Sequence, residues 1–399
     1  MQDTNIASAH AAPGTGGIII SVLHGADALA QAEAAWLALE HAGGCPSPFQ
    51  SWRWVQGWRQ HFRAAEPLIL LAEFSGDGKA DGTPLALLPL QREKVAGLSC
   101  LTWLTARGLQ YGGMLLHPAL SEPERKNVLD AVWTVLLQER VDFIDLPLLP
   151  EDDVLTTLLN EECVRGPENA AFHIDFSQYE DWRAFELALK PSARRARKKR
   201  LNKLKRTGEL TFTVHPAGPD LAPVLKQALQ WKRGWLDAQG LHGALPYQPA
   251  FEQLLQALFA TPDKHDAWRV AVLALDGNPI AIDAGKVCGK RFHAWFAAYD
   301  ADFSEHSPGK IALWLMMQWC MENGIRAYDM LANPAPYKEE WANGRRPLVH
   351  FMKPLTTAGR AYVAWMRHGE PMARQMYHAL PPGLKAMVRK PLMYLRGGK

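Results

Sequence analysis

Apolar positions recur along the chain with two periods. Behind Asp27, Ala, Leu and Trp return at helical spacing through His41, which predicts a helix with Asp27 at its cap. PSPFQSWRWVQGWRQHF has a Ser/Pro start and predicts a second helix. Leu68–Phe74 and Pro84–Gln91 are apolar runs joined by a Gly/Asp-rich segment, the pattern of a hairpin. SCLTWLT reads as a short strand. Residues 121–140 read as a helix that opens on Ser and acids and closes on Arg, and VDFIDLPLLP as a strand stopped by proline. The second half uses the same grammar. Trp268–Leu275 is a strand, DGN a turn, PIAIDAGKVCG the returning strand and KRFHAWFAAYD another. SPGKIALWLMMQWCMENG is a helix, and IRAYDMLANP a strand running into proline.

The two halves can be laid over each other. PLALLPL answers PIAIDAG, and Asp145 answers Asp329, 184 residues later. The repeat is one of pattern, not of residue identity. It predicts an α/β chain with two tandem domains of one type. Each has a hairpin, a third strand, a helix and a last strand, and a helix between two strands of one sheet implies a parallel crossover. Two unrelated α/β units are the alternative. The boundaries follow composition: a flexible tail at 1–17, domains at 18–170 and 171–355, and a basic helical segment at 356–399.

With 399 residues and 48% hydrophobic content, the chain has length and apolar surface for about two cores. Five scattered cysteines with no CxxC argue against a disulfide framework or a thiolate zinc site. MQDTNIASAHAAPGTGG has neither a basic n-region nor an apolar h-region, and no apolar run reaches about 18 residues. A cytoplasmic compartment is therefore expected, with peripheral contact to the inner membrane face as an option. The fifteen tryptophans read first as amphipathic packing residues.

The net charge of +3 conceals an uneven distribution. Lys190–Arg206 holds ten basic residues and no acid in seventeen positions. Ala193, Ala196, Leu201 and Leu204 fall near one face, so the stretch predicts a basic amphipathic helix with Ser192 at its cap. It can be a solvated face, or a binding face for phosphates, lipid headgroups or RNA. Arg367–Lys399 carries seven basic residues and one acid, mixed with Met, Tyr and Leu, a composition suited to an anionic membrane surface. These two segments sum to +16, and the rest of the chain to −13.

Local chemistry concentrates at AAYDADFSEHSPGKIALW. A strand ends near Tyr299 and a helix opens at Ser307, Pro308, Gly309 and Lys310, with Ser as cap. A bare glycine, free N–H groups and a lysine make an anion site of a pyrophosphate's kind. It is neither a Walker A loop, since Ser304 stands where a glycine is required, nor GxGxxG. An ordinary capped helix is the plain alternative. In the following YDMLANPAPYKEEWANGRR, Asp329 on a strand and the pair Tyr337 and Lys338 on the next loop can supply a base and a charge stabiliser for acyl transfer.

SPFQSWRWVQGW, SARRARKKRLNKL, the SPG helix start and GIRAYDML…YKEEW together resemble the CelD/Fem-like branch of the GNAT N-acyltransferase superfamily, over about residues 46–350. The resemblance implies two tandem GNAT-like domains, each a mixed, mostly antiparallel sheet flanked by helices, the first degenerate. It implies an acyl-CoA donor, its pantetheine between the strands ending at Tyr299 and Leu331 and its phosphates at Ser307, Pro308, Gly309 and Lys310. A neutral amine would attack the thioester directly, with His293, Asp329, Tyr337 and Lys338 as catalytic residues. Asp283 is a second candidate base, a satisfied sheet histidine is the plain reading of His293, and Trp295 and Trp341 line the substrate side. Arg194, Arg195 and Lys198 suit an anionic donor, whether CoA, acyl carrier protein or aminoacyl-tRNA. The stretch EHSPGK departs from the family's two-glycine loop and leaves that donor open, while the lack of a heptad insertion favours a thioester. The family's amine acceptors include cell-wall precursors and sphingoid-type lipids, and a catalytically inactive scaffold that binds polyanions is the alternative outside enzymes.

Overall fold

The computed structural model of the protein describes residues 8–11, 17–62, 65–76, 79–106, 108, 110–241, 244–262, 267–332 and 334–379. Their first elements are β1 (Ser8–Ala11), β2 (Ile18–His24), α1 (Ala28–His41), α2 (Trp52–His61), β3 (Glu66–Gly76), β4 (Lys79–Val95), β5 (Leu98–Trp103) and β6 (Leu115–Leu116). Next come α3 (Glu122–Leu136), β7 (Phe143–Pro150), α4 (Thr156–Glu162), β8 (Val164–Arg165), β9 (Asn169–Asp175), α5 (Trp182–Ala188), α6 (Pro191–Lys205) and β10 (Leu210–Pro216). Then α7 (Ala222–Ala238), α8 (Pro249–Phe259), β11 (Trp268–Leu275), β12 (Asn278–Cys288), β13 (Arg291–Tyr299) and α9 (Pro308–Glu322) follow. The chain continues through β14 (Ala327–Ala332), α10 (Pro336–Trp341), β15 (Gly344–Pro354), α11 (Thr357–Ala364) and α12 (Glu370–Ala379).

These elements form two compact units. Unit 1 falls within Met1–Trp52, Ala64–Asn169 and Pro347–Lys399, and unit 2 within Arg53–Arg63 and Ala170–Arg346. Residues 53–63 thus pack with unit 2 and 347–355 with unit 1, whereas composition set the boundary near residue 170 and ended the second domain at 355. Composition is blind to such exchanges, because they depend on side chains far apart in sequence. In unit 2, Trp54 meets Trp295 edge-on at 5.2 Å, and the Arg53 guanidinium donates to the Leu258 and Thr261 carbonyls.

Unit 1 orders its strands β1-β2-β3-β4-β5-β7-β15, and unit 2 orders its strands β9-β14-β13-β12-β11-β10. Neighbours are antiparallel except β5 with β7 and β13 with β14, which are parallel. A helix lies in the connection across each parallel pair, α3 in unit 1 and α9 in unit 2, as the pattern predicted. The β3–β4 hairpin pairs Leu68 with Leu90 and Ala72 with Ala86. In the turn between β11 and β12, Asp276 and Gly277 both have positive φ, +48° and +78°, the geometry that suits the right-handed strand twist.

Unit 2 buries both faces of its sheet. On one, Phe292, Tyr328 and Met330 pack with Trp314, Met317 and Cys320 of α9. On the other, the Trp295 ring lies against Trp54 of α2 and Phe251 of α8. Of three predicted caps, two stand in the cap position without a side-chain bond and one does not stand there. Asp27 stands at the α1 cap with no side-chain bond. The basic helix starts at Pro191 with Lys190, not Ser192, in the cap position. Ser307 holds the α9 cap position but makes no side-chain bond there.

Candidate active site

The parallel strands β13 and β14 form a fork. Arg291, Phe292 and His293 pair with Ala327, Tyr328 and Asp329, and this short ladder is the whole of their recorded pairing. Beyond it β13 runs on to Tyr299, while β14 kinks against β9 between Asp329 and Ala332. The kink places Leu331 at φ +64°, a left-handed conformation that costs a non-glycine residue about 1–2 kcal/mol.

Asp329 and Lys338 hold that kink. Asp329 is fully buried, and its Oδ1 accepts the Leu331 N–H at 2.8 Å. Its Oδ2 accepts from the Arg291 guanidinium at 3.3 Å. Lys338 is also buried, and its ammonium donates to the Leu331 and Ala332 carbonyls at 3.2 and 2.7 Å. Burial brings its pKa down to about 8, against the pull of Asp329 and with a further push from Lys232. Both side chains are therefore committed to the backbone at the open end of β14. Lys338 and Tyr337 lie on the short helix α10, where a loop was expected. Proline at its first position suits such a start.

His293 lies in register with Lys286 on one side and Asp329 on the other, and Asp329 with His173 on β9. Titratable groups thus cross four strands in one row. Burial lowers the His293 pKa to about 4, so its imidazole is neutral near pH 7.

Asp283, on β12, is buried beside the α9 core. One carboxylate oxygen accepts from the Tyr328 hydroxyl, and Oδ1 has no hydrogen-bond partner among the described residues. Burial pushes its pKa up to about 7, and the Tyr328 and Cys320 side chains are pushed well above their usual ranges, chiefly by burial. The Tyr337 pKa is raised by burial and, behind it, by the Asp283 charge, although the residue as a whole is 49% exposed.

The α9 start lies beside this fork. Ser307 is left-handed at φ +54°, and its carbonyl accepts the Lys310 and Ile311 N–H groups. Gly309 is pressed on Tyr299, where a Cβ would stand 3.1 Å from the ring. Lys310 pairs with Glu340 at 2.7 Å. The basic helix α6 packs nearby through a residue that polarity alone concealed. Arg197 continues the stripe Ala193, Leu201 and Leu204 at helical spacing. Its guanidinium lies 4.0 Å from the Trp341 ring and 4.6 Å from Trp314, a double cation–π contact. Its Nη1 is buried without a hydrogen-bond partner among the described residues. Arg197, Arg200, Lys310, Trp314 and Trp341 line a cavity of about 10 Å³, room for one water.

The predicted residues separate into three groups. His293 and Asp329 meet at the base of the fork, with Lys338 at its open end. Asp283 and Tyr337 lie on the α9 side, and Ser307, Pro308, Gly309 and Lys310 open α9. Trp341 stacks on Arg197, while Trp295 is committed to the aromatic core on the other face. Arg195 and Lys198 are exposed and Arg194 half-buried, and the cations of α6 that line the cavity are Arg197 and Arg200.

Residues 191–339 match a family model described as Acetyltransferase (GNAT) domain. A search of curated proteins gives no match. Among solved structures, FemX is 11% identical, covering 79% of this chain and 95% of its own at a TM-score of 0.52. The C-terminal domain of a putative lysylphosphatidylglycerol synthetase from Agrobacterium fabrum is 16% identical, covering 70% and 84% at 0.44. A tandem GNAT protein from the clavulanic acid biosynthesis pathway is 11% identical, covering 84% and 99% at 0.39. Residues 191–339 are thus similar to a GNAT acetyltransferase domain, and the chain shares its fold with FemX.

Proposed function

We propose that the protein is an N-acyltransferase that moves an acyl group from a thioester, acyl-CoA in the first instance, to an amine. The observation that carries this is the unit 2 fork beside a cation-lined helix start. β13 and β14 part beyond His293 and Asp329, and an extended amide-bearing arm can enter between them. The first turn of α9 has no acid and carries Lys310, which favours the donor's phosphates. Arg200 and Arg197 extend this basic surface.

In this reading the acceptor amine attacks the thioester carbonyl as the neutral base. The C–N bond forms, the C–S bond breaks, and the amine's proton leaves to a buried base. Asp283, with a pKa near 7 and an open Oδ1, is the best-matched acceptor for that proton. His293, with its pKa near 4, is a weaker base. Lys338 and Asp329 act as positioning residues by fixing the Leu331 kink. Ser307, Pro308, Gly309 and Lys310 hold the donor phosphates, and Tyr337 borders the acyl side. The basic C-terminal sequence, Met- and aromatic-rich, favours a lipid or cell-envelope amine as acceptor.

A second reading uses aminoacyl-tRNA as donor. The ten cations of residues 190–206 and the likeness to FemX support it. Thermal shift with a CoA-thioester panel and with charged tRNA separates the two. Stabilisation by thioesters, rising with acyl length, and conversion of an amine to its amide support the leading reading. A response to charged tRNA alone supports the second, and no response to either contradicts both.

A further inference from the structure

The described C-terminal residues of unit 1 form one helical run, in which a π-helical stretch, Trp365–Gly369, joins α11 to α12. One side of the run is fixed to the unit. Thr356 donates its hydroxyl to Asp142 at 2.7 Å and accepts the Gly359 N–H at 3.0 Å. Gly359 lies so near the Asp142 carbonyl that a Cβ would stand 2.0 Å from its oxygen, so the close approach requires glycine. Val363 is buried, and Met366 packs with it on Cys100, Phe143 and Met352.

The other side carries Trp365, Met372 and Met376, which are 43%, 59% and 66% exposed. Met372 and Met376, four residues apart, share one face of α12, and Trp365 stands at the head of the π-helical stretch before it. Arg360, Arg367 and His368 are also exposed on the run. The chain then continues with Lys385, Arg389, Lys390, Arg396 and Lys399, and no acid follows Glu370. An apolar strip this narrow holds a bilayer weakly alone, and so does a basic patch alone, but the two together anchor stably. No helix among the described residues is long and apolar enough to cross a membrane.

We infer that this run docks the protein on an anionic lipid bilayer. Trp365, Met372 and Met376 enter the headgroup region, and Arg360 and Arg367 meet lipid phosphates. Tryptophan suits that depth, with an apolar ring and a polar N–H, and methionine adapts its shape to acyl chains. The helix lies along the surface, because its inner side remains tied to Asp142 and Phe143.

Flotation of the full chain with vesicles tests this. Vesicles of phosphatidylcholine with phosphatidylglycerol should carry the protein, and vesicles of phosphatidylcholine alone should not. Met372→Gln with Met376→Gln, and separately Arg360→Gln with Arg367→Gln, should each lower the partition by at least about tenfold while circular dichroism stays unchanged. Equal binding to neutral vesicles, no binding, or binding unmoved by both pairs overturns the inference. So does a concentration-dependent dimer that the methionine pair abolishes without any effect on vesicles. The partition is read without donor or acceptor, so its failure and the failure of the acyl-transfer reading are separate results.

Discussion

The two forks share a frame and differ in chemistry. In unit 1, Cys100, Leu101 and Thr102 pair with Phe143, Ile144 and Asp145, the same three-residue parallel ladder that starts the fork of unit 2. Each fork ends on an aspartate followed by a left-handed leucine, Leu148 at φ +58° and Leu331 at φ +64°. Each aspartate faces the next antiparallel strand, where Asp145 pairs with His350 at 2.5 Å and Asp329 lies opposite His173. The helices beside the forks then diverge. The α3 start is closed by a capping box, with Glu124 accepting the Ser121 N–H at 2.8 Å and Glu122 in the same turn. Two acids there satisfy the dipole and repel an anion, whereas α9 offers Lys310 and no first-turn acid. A duplicated frame thus does not duplicate the charge at its helix starts: the α3 start is acidic, and the α9 start carries Lys310, paired with Glu340.

Stability should separate the copies most. Asp329→Ala leaves Arg291 without its buried partner and frees Leu331, and should cost about 3–5 kcal/mol. Asp145→Ala removes a partly exposed pair and should cost about 1–2 kcal/mol. Chemical denaturation reads both, and equal costs would break the distinction. Donor binding comes next. Arg197→Ala should weaken a CoA thioester about tenfold, with Arg197→Lys recovering little, because lysine lacks the planar group that stacks between two indoles. Titration calorimetry reads this, and full affinity in Arg197→Ala would detach α6 from the site.

The pH dependence is subtler. The Asp283 pKa is raised to about 7 in the folded state, so the stability it contributes is present below about pH 4 and is lost as pH rises through 7. The stability of the wild type relative to Asp283→Asn should therefore fall across that window, and a rise would contradict the buried carboxyl. The smallest effect belongs to α3. Glu124→Ala should cost about 0.5–1 kcal/mol by loss of its capping bond and leave donor affinity unchanged.

Much of this frame was legible in the sequence because it follows from period and punctuation. The β11–β12 turn needs two positive φ values, and Asp-Gly supplies them. The crossover helices announced themselves by unbroken helical spacing between short apolar runs. The roles of polar residues were less legible. Lys338 and Asp329 suggested catalysis by type, yet Lys338 and one oxygen of Asp329 bond the backbone of β14, which only the kink at Leu331 reveals. Arg197 was hidden among nine other cations, though its spacing from Ala193 and Leu201 marked it as the inward one. The exchange of residues 53–63 and 347–355 between the units left no local trace, since it rests on packing partners such as Trp54 and Trp295.

Hydrogen-exchange mass spectrometry with a CoA thioester reads both forks at once. Slower exchange is expected in residues 291–299, 307–314 and 327–332, with the matching unit 1 segments 98–103, 121–129 and 143–148 unchanged. Protection confined to the unit 1 segments, or none in either fork at a saturating donor concentration, would contradict it.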